Sequence, residues 1–233
     1  MLENNGGKEA GAVRQQDGKI VMRGELALLI VVFINSMGVV LMLHSGSGLS
    51  AISSVPYAFS LVLPGLSLGT WTYLFQGLLV LTLMLLRRKV VFSYLFSFVV
   101  GFVFGNLVDL HELWIARLPQ TLPVHVLCYL AGYLLIGVGV ALSNRCKLPI
   151  IPTDLFPREL SFLLGGHYAV VKISFDVLCL AVTALMTGLF LGRVTGLGVG
   201  TIIAALTMGK AIGWIGARLD RRLCFVSVLE PEI

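Results

Sequence analysis

Charge is what this chain has least of. Asp, Glu, Lys and Arg together make 12% of its 233 residues, about half the share found in soluble domains, so a large solvated surface is excluded. Cysteine is also scarce. Cys128, Cys146, Cys179 and Cys224 show no CxxC spacing, and the first and third fall inside apolar runs, which argues against a zinc site or a disulfide framework. The four histidines never reach HExxH spacing, and the chain has neither a GxSxG nucleophile elbow nor a P-loop. No cofactor is indicated, and enzymatic chemistry is not expected.

What the chain has in abundance is hydrophobic sequence, 57% of residues, at a mean hydropathy of +0.94. That is a membrane composition, and the length leaves room for six spans of about 20 residues with short connections. The lipid bilayer is the first partner implied. A net charge of +5 could suggest nucleic acid, but the basic residues sit at span ends and not on one soluble face. They read as topology signals, and nucleic acid is not expected as a partner.

Residues 1–22, rich in Gly, Asn, Gln and charge, predict a disordered cytoplasmic tail. The first span covers Glu25 to Leu43 and is too long for a signal-peptide core. After His44 comes GSGLSAISSVPYAFSLVLPGLSLG, uncharged and broken by Gly46, Gly48, Pro56 and Pro64. Such backbone cannot face lipid, so the stretch is expected to be re-entrant, lying inside the protein or lining a cavity. Spans at Thr70–Leu86, Val90–Leu110 and Leu122–Leu142 follow. A second broken stretch, CKLPIIPTDLFPRELSFLLGG, separates the fourth span from the fifth, Gly166–Leu191, and a sixth covers Leu197–Ile215. The domains expected are a tail at 1–22, one half at 23–120, a second at 121–217, and a C-terminal tail at 218–233. Arg14, Lys19, Arg23, Arg87 to Lys89, Arg145, Lys147, Arg158 and Arg218 to Arg222 fall on one side of this arrangement, with Arg117 and Arg193 on the other. The positive-inside rule then puts both termini in the cytoplasm.

Laying residue n on n+99 aligns Gly38-Val39 with Gly137-Val138, Leu49 with Leu148, Ile52 with Ile151 and Ser54 with Thr153. The two broken stretches coincide. With small gaps, Gln76 falls near Asp176 and Gly105-Asn106 on Gly209-Lys210. Three spans per half invert the second copy, and paired Gly/Pro-interrupted segments in the two halves point to a transporter's binding site. The expected fold is therefore an all-α membrane protein of six transmembrane helices, built as two inverted three-helix repeats, each with a proline/glycine-broken re-entrant segment.

Lys172 and Asp176 stand four residues apart inside the fifth span, on one helical face. Intramembrane charge is costly and is a functional candidate by default, while a structural ion pair is the competing reading. At 1.5 Å per residue, Asp176 lies about 12 Å and Lys210 about 9 Å from the cytoplasmic face, so the two can meet, and Lys172, about 6 Å in, can snorkel. Asp154 in the second break either faces a vestibule or caps a short helix starting near Leu155. Ser50, Ser53 and Ser54 in the first break serve either solute or backbone. Asp109, His111 and Glu112 form a polar cluster read as solvated. Gly101xxxGly105, the Gly188 to Gly200 series and Gly209xxxGly213 are small-xxx-small ladders that mean close helix packing, within the bundle or in a homodimer. The candidate solute-binding residues are Asp176, Lys210, Lys172, Asp154, Ser53, Ser54, Gln76 and Asn106. They suit a permease or secondary carrier for a polar or zwitterionic solute. The alternative is a non-transporting membrane module, such as a substrate-binding or accessory subunit.

Ser50-Ala51-Ile52-Ser53-Ser54-Val55-Pro56-Tyr57, Gly69-Thr70-Trp71, Phe104-Gly105 with Asp109, Pro152 with Asp154, Val171-Lys172-Ile173 with Asp176, and Gly200-Thr201-Ile202-Ile203-Ala204-Ala205-Leu206 together resemble the YczE/YyaS/YitT family of bacterial membrane proteins. The resemblance covers nearly all of Arg23 to Gly216. It implies a six-span protein of the bacterial inner membrane and no assigned biochemical activity. Members often carry an acidic residue just before the Gly-Thr pair; Val199 stands there instead.

Overall fold

In a computed structural model of the chain, residues 20–146, 148 and 150–226 are described. The expected tail therefore lies outside the described residues up to position 19. From position 20 the chain is ordered into a short strand β1, Ile20–Arg23, which pairs in parallel with β2, Leu223–Val226. This ladder is the departure from all-helical structure among the described residues. Between the strands run eight helices: α1 Gly24–His44, α2 Ala51–Val62, α3 Leu68–Arg87, α4 Phe92–Ile115, α5 Leu122–Ser143, α6 Pro152–Leu164, α7 Tyr168–Leu191 and α8 Val199–Arg222. Six of them are long and apolar enough to cross a bilayer. The two short ones, α2 and α6, fall in the two broken stretches. The face carrying the strands is called the ladder face below.

Local sequence explains the helix ends. Ser50 and Ser67 accept from the backbone N–H three residues on, at 3.4 and 3.1 Å, and so start α2 and α3, the preferred N-cap chemistry. Arg88, at φ +51°, closes α3 within Arg87-Arg88-Lys89. Gly165, at φ +61°, closes α6, a conformation that favours glycine. Each short helix carries a proline as its sixth residue, Pro56 and Pro157. Aligned by their first residues, α2 and α6 are related by n+101, two residues later than the sequence register. α8 runs on to Arg222, so the boundary expected at 217 lies inside a helix.

The core forms around α1 and α5, which pack on each other along their length. Their backbones approach closely because Gly38 faces Ile136 and the Gly132 carbonyl, Gly132 faces Met42, and Gly139 faces the buried Asn35 amide. α4 packs on α1, and α8 on α5. α2 packs on α7 and α3; α6 packs on α3 and α7. α3 also lies along α4, whereas α7 and α8 share no such extended contact among the described residues.

Candidate functional site

A cavity of about 640 Å³ opens on the ladder face between the end of α5, the length of α6 and the start of α7. Its polar wall is Asn144, Asp154, Arg158, Ser161, His167 and Tyr168. The proline-broken sequence produces this wall. Pro152 starts α6 with its N–H removed where no helical partner exists. Asp154 and Arg158 then fall one turn apart on one face. Two anchors fix α6 in place. Glu159 accepts from Arg87 Nη2 and Tyr94 Oη, each at 2.6 Å, and Phe156 stacks at a tilt on Phe175 of α7, ring centres 4.9 Å apart.

Asp154 is half-buried and does not cap α6: Ile151 precedes the helix and no side chain bonds the first turn. The capping reading, with its start near Leu155, is corrected accordingly. Among the described residues Asp154 has no ion pair. Burial pushes its carboxyl above the usual carboxylate range, while the nearby Lys172 and Arg158 charges pull the other way. Lys172 donates to both Asp176 oxygens, at 2.6 and 2.7 Å, within α7. This pair lies close enough for both charges to act on Asp154. Of these three, Asp154 lines the cavity, while the Lys172–Asp176 pair sits further along α7, outside the lining.

The other candidates divide by depth. Gln76 is fully buried, with neither amide atom hydrogen-bonded among the described residues. Its Oε1 lies against Gly101, which also touches Pro152 at the start of α6. Ser54 is buried and bonds the Ala51 carbonyl at 2.7 Å and Thr183 Oγ1 at 2.8 Å; Ser53 accepts from Ser50 Oγ at 2.9 Å. Two candidates stand apart. Asn106 is exposed and donates to its own helix at Phe102 O, 2.8 Å. Lys210 is exposed on α8 and does not meet Asp176, because α7 and α8 do not pack and Lys172 already holds the carboxylate.

Sequence reasoning missed Arg158, His167, Tyr168 and Thr183. In the sequence Arg158 reads as a topology signal, although its i+4 spacing from Asp154 also places the two on one helical face. Thr183 and Thr187, both fully buried, form an i,i+4 hydroxyl pair in an apolar span. Asp109 is not merely solvated: it accepts from Ser67 Oγ and Gly69 N, each at 2.6 Å, and ties α4 to the start of α3.

Six apolar helices in one bundle define a multi-pass membrane protein. Within that class, residues 22–217 match a family model described as a family of unknown function (DUF6198), and the chain belongs to that family. It is also similar to a Bacillus subtilis (strain 168) protein named Uncharacterized protein YyaS, at 29% identity over 140 residues, covering 57% of this chain and 67% of the relative. This supports the YyaS-like membership expected from the motifs. No solved structure matches.

Proposed function

We propose that the chain is a small-molecule permease or secondary carrier of the bacterial cytoplasmic membrane, working by alternating access between two inverted halves. The observation that carries this reading is the exchange of the short helices. α2 of the first half packs on α7 of the second, and α6 of the second packs on α3 of the first. Within the halves, the α1 packing on α4 is matched by α8 packing on α5, while the α3–α4 contact has no extended counterpart between α7 and α8 among the described residues. By helix starts, Gln76 and Asp176 are both ninth residues, of α3 and α7.

Depth supports re-entry. Gly101, which touches Pro152, is nine residues into α4, about 14 Å below the ladder face at 1.5 Å per residue. Thr183, which bonds Ser54, lies eight residues before Leu191, about 12 Å below the opposite face. Each short helix then begins inside the bilayer, where irregular backbone needs protein or a cavity around it. The bundle would expose its ladder-face cavity to the cytoplasm, consistent with Arg87, Arg145, Arg158 and Arg218 on that side. Asp154 and Arg158, with the Lys172–Asp176 pair behind them, offer both signs of charge to a polar or zwitterionic solute. The buried Gln76 amide is the contact waiting at mid-depth.

The test begins with the detergent-purified chain warmed in the presence of amino acids, amines, organic acids and nucleosides. A bound solute at a hundredfold its Kd stabilises the fold by about 2.7 kcal/mol. The reading expects a hit that Asp154→Asn weakens and that reconstituted vesicles exchange across the bilayer. A solute that binds but is never exchanged contradicts it. That result favours the second reading, a non-transporting module, supported by the lack of an extended α7–α8 contact among the described residues, which leaves room for a partner there.

A further inference from the structure

α8 is held from one side. Thr201, Ala204 and Gly216 are buried, and Met208 and Ile215 reach Gly137 of α5. At about 100° per residue these positions share one face. Lys210 falls on the opposite face, exposed, with no ion pair among the described residues. Trp214, one turn on, is 60% exposed, and the Arg218 guanidinium sits 3.9 Å from its ring centre. Gly213 beside them has open space where a side chain would stand. The stripe climbs from inside the span to the ladder face.

Among the described residues, the carboxylates of the two helices nearest this stripe in the chain are already engaged. Asp220 is engaged by Arg145 at 2.5 and 2.7 Å, and Asp176 by Lys172. A second copy docking by a two-fold axis would bring the same patch to itself, cation against cation. The anion available to a snorkelling lysine in that leaflet, beside an interfacial tryptophan, is a phospholipid phosphate. We propose that Lys210, Trp214 and Arg218 form a binding site for the headgroup phosphate of an anionic phospholipid in the ladder-face leaflet. This inference stands independently of solute transport.

The full chain in detergent is titrated with phosphatidylglycerol, with phosphatidylcholine of the same acyl chains, and with water-soluble glycerol phosphate, and thermal unfolding is followed. Phosphatidylglycerol should stabilise preferentially and glycerol phosphate should not. Lys210→Leu and Arg218→Gln should each weaken the preference about fivefold, whereas Arg117→Gln, near the other face, should leave it intact. Should Lys210→Leu not fold, Arg218→Gln decides alone. Equal shifts from both lipids, a preference that survives these substitutions, an equal shift from glycerol phosphate, or a Lys210-dependent homodimer in mass photometry would each overturn the proposal.

Discussion

Asp154 sits in the first turn of α6 with its carboxyl raised by burial and only partly relieved by Lys172 and Arg158. An acid raised on folding contributes its favourable, protonated form below the ordinary carboxyl range, and that contribution is lost as pH climbs through the folded value. Asp154→Asn removes the loss. Thermal unfolding of the variant and the parent should therefore coincide in acid, with the variant gaining stability over the parent toward neutral pH. A variant less stable at neutral pH would mean that the carboxylate is held by partners and not merely buried. The carboxylate itself was legible in the sequence, because a lone Asp in a proline-broken apolar stretch is conspicuous. Its orientation was not, since a first-turn acid can turn toward the helix end or toward a cavity, and only the packing of α6 on α3 and α7 chooses between them.

The glycine ladders show how elements differ when their sequences look alike. Gly101 has the Gln76 amide and Pro152 against it, while Gly213 has nothing within 4 Å. A methyl group at Gly101 has to displace a buried amide, and overpacking of this kind costs about 1–3 kcal/mol. Gly101→Ala should lower the unfolding temperature in detergent, and Gly213→Ala should leave stability within about 0.5 kcal/mol of the parent. Equal effects would contradict the placement of α8. The long helices were readable because an apolar run of twenty residues has few alternatives in a bilayer. The ladders misled because small-xxx-small spacing states that a neighbour can come close, not that one does. Lys210 failed for a related reason: depth arithmetic fixes the height of Asp176 and Lys210 but not whether their helices are neighbours, and α7 and α8 share no extended contact among the described residues.

At the scale of the whole molecule, each short helix packs on a long helix distant in sequence, α2 on α7 and α6 on α3, with Ser54 bonded to Thr183 across the first contact. The two matched breaks could be read from the sequence, and each holds a short helix with proline as its sixth residue; their offset is 101 and not 99, because apolar sequence aligns with itself too easily to fix a gap, and the inverted repeat built on them remains part of the proposal. The mirrored packing was beyond reach, since contacts such as α2 on α7 join residues more than a hundred positions apart. Impermeant maleimide labelling of single cysteines, in a chain lacking Cys128, Cys146, Cys179 and Cys224, tests the inverted arrangement most directly. Ser53→Cys and Thr153→Cys are compared in right-side-out and inside-out vesicles. The account predicts that Thr153→Cys labels only from the cytoplasmic side and Ser53→Cys only from the outside. Labelling of both from the same side would contradict the inverted repeat and, with it, alternating access.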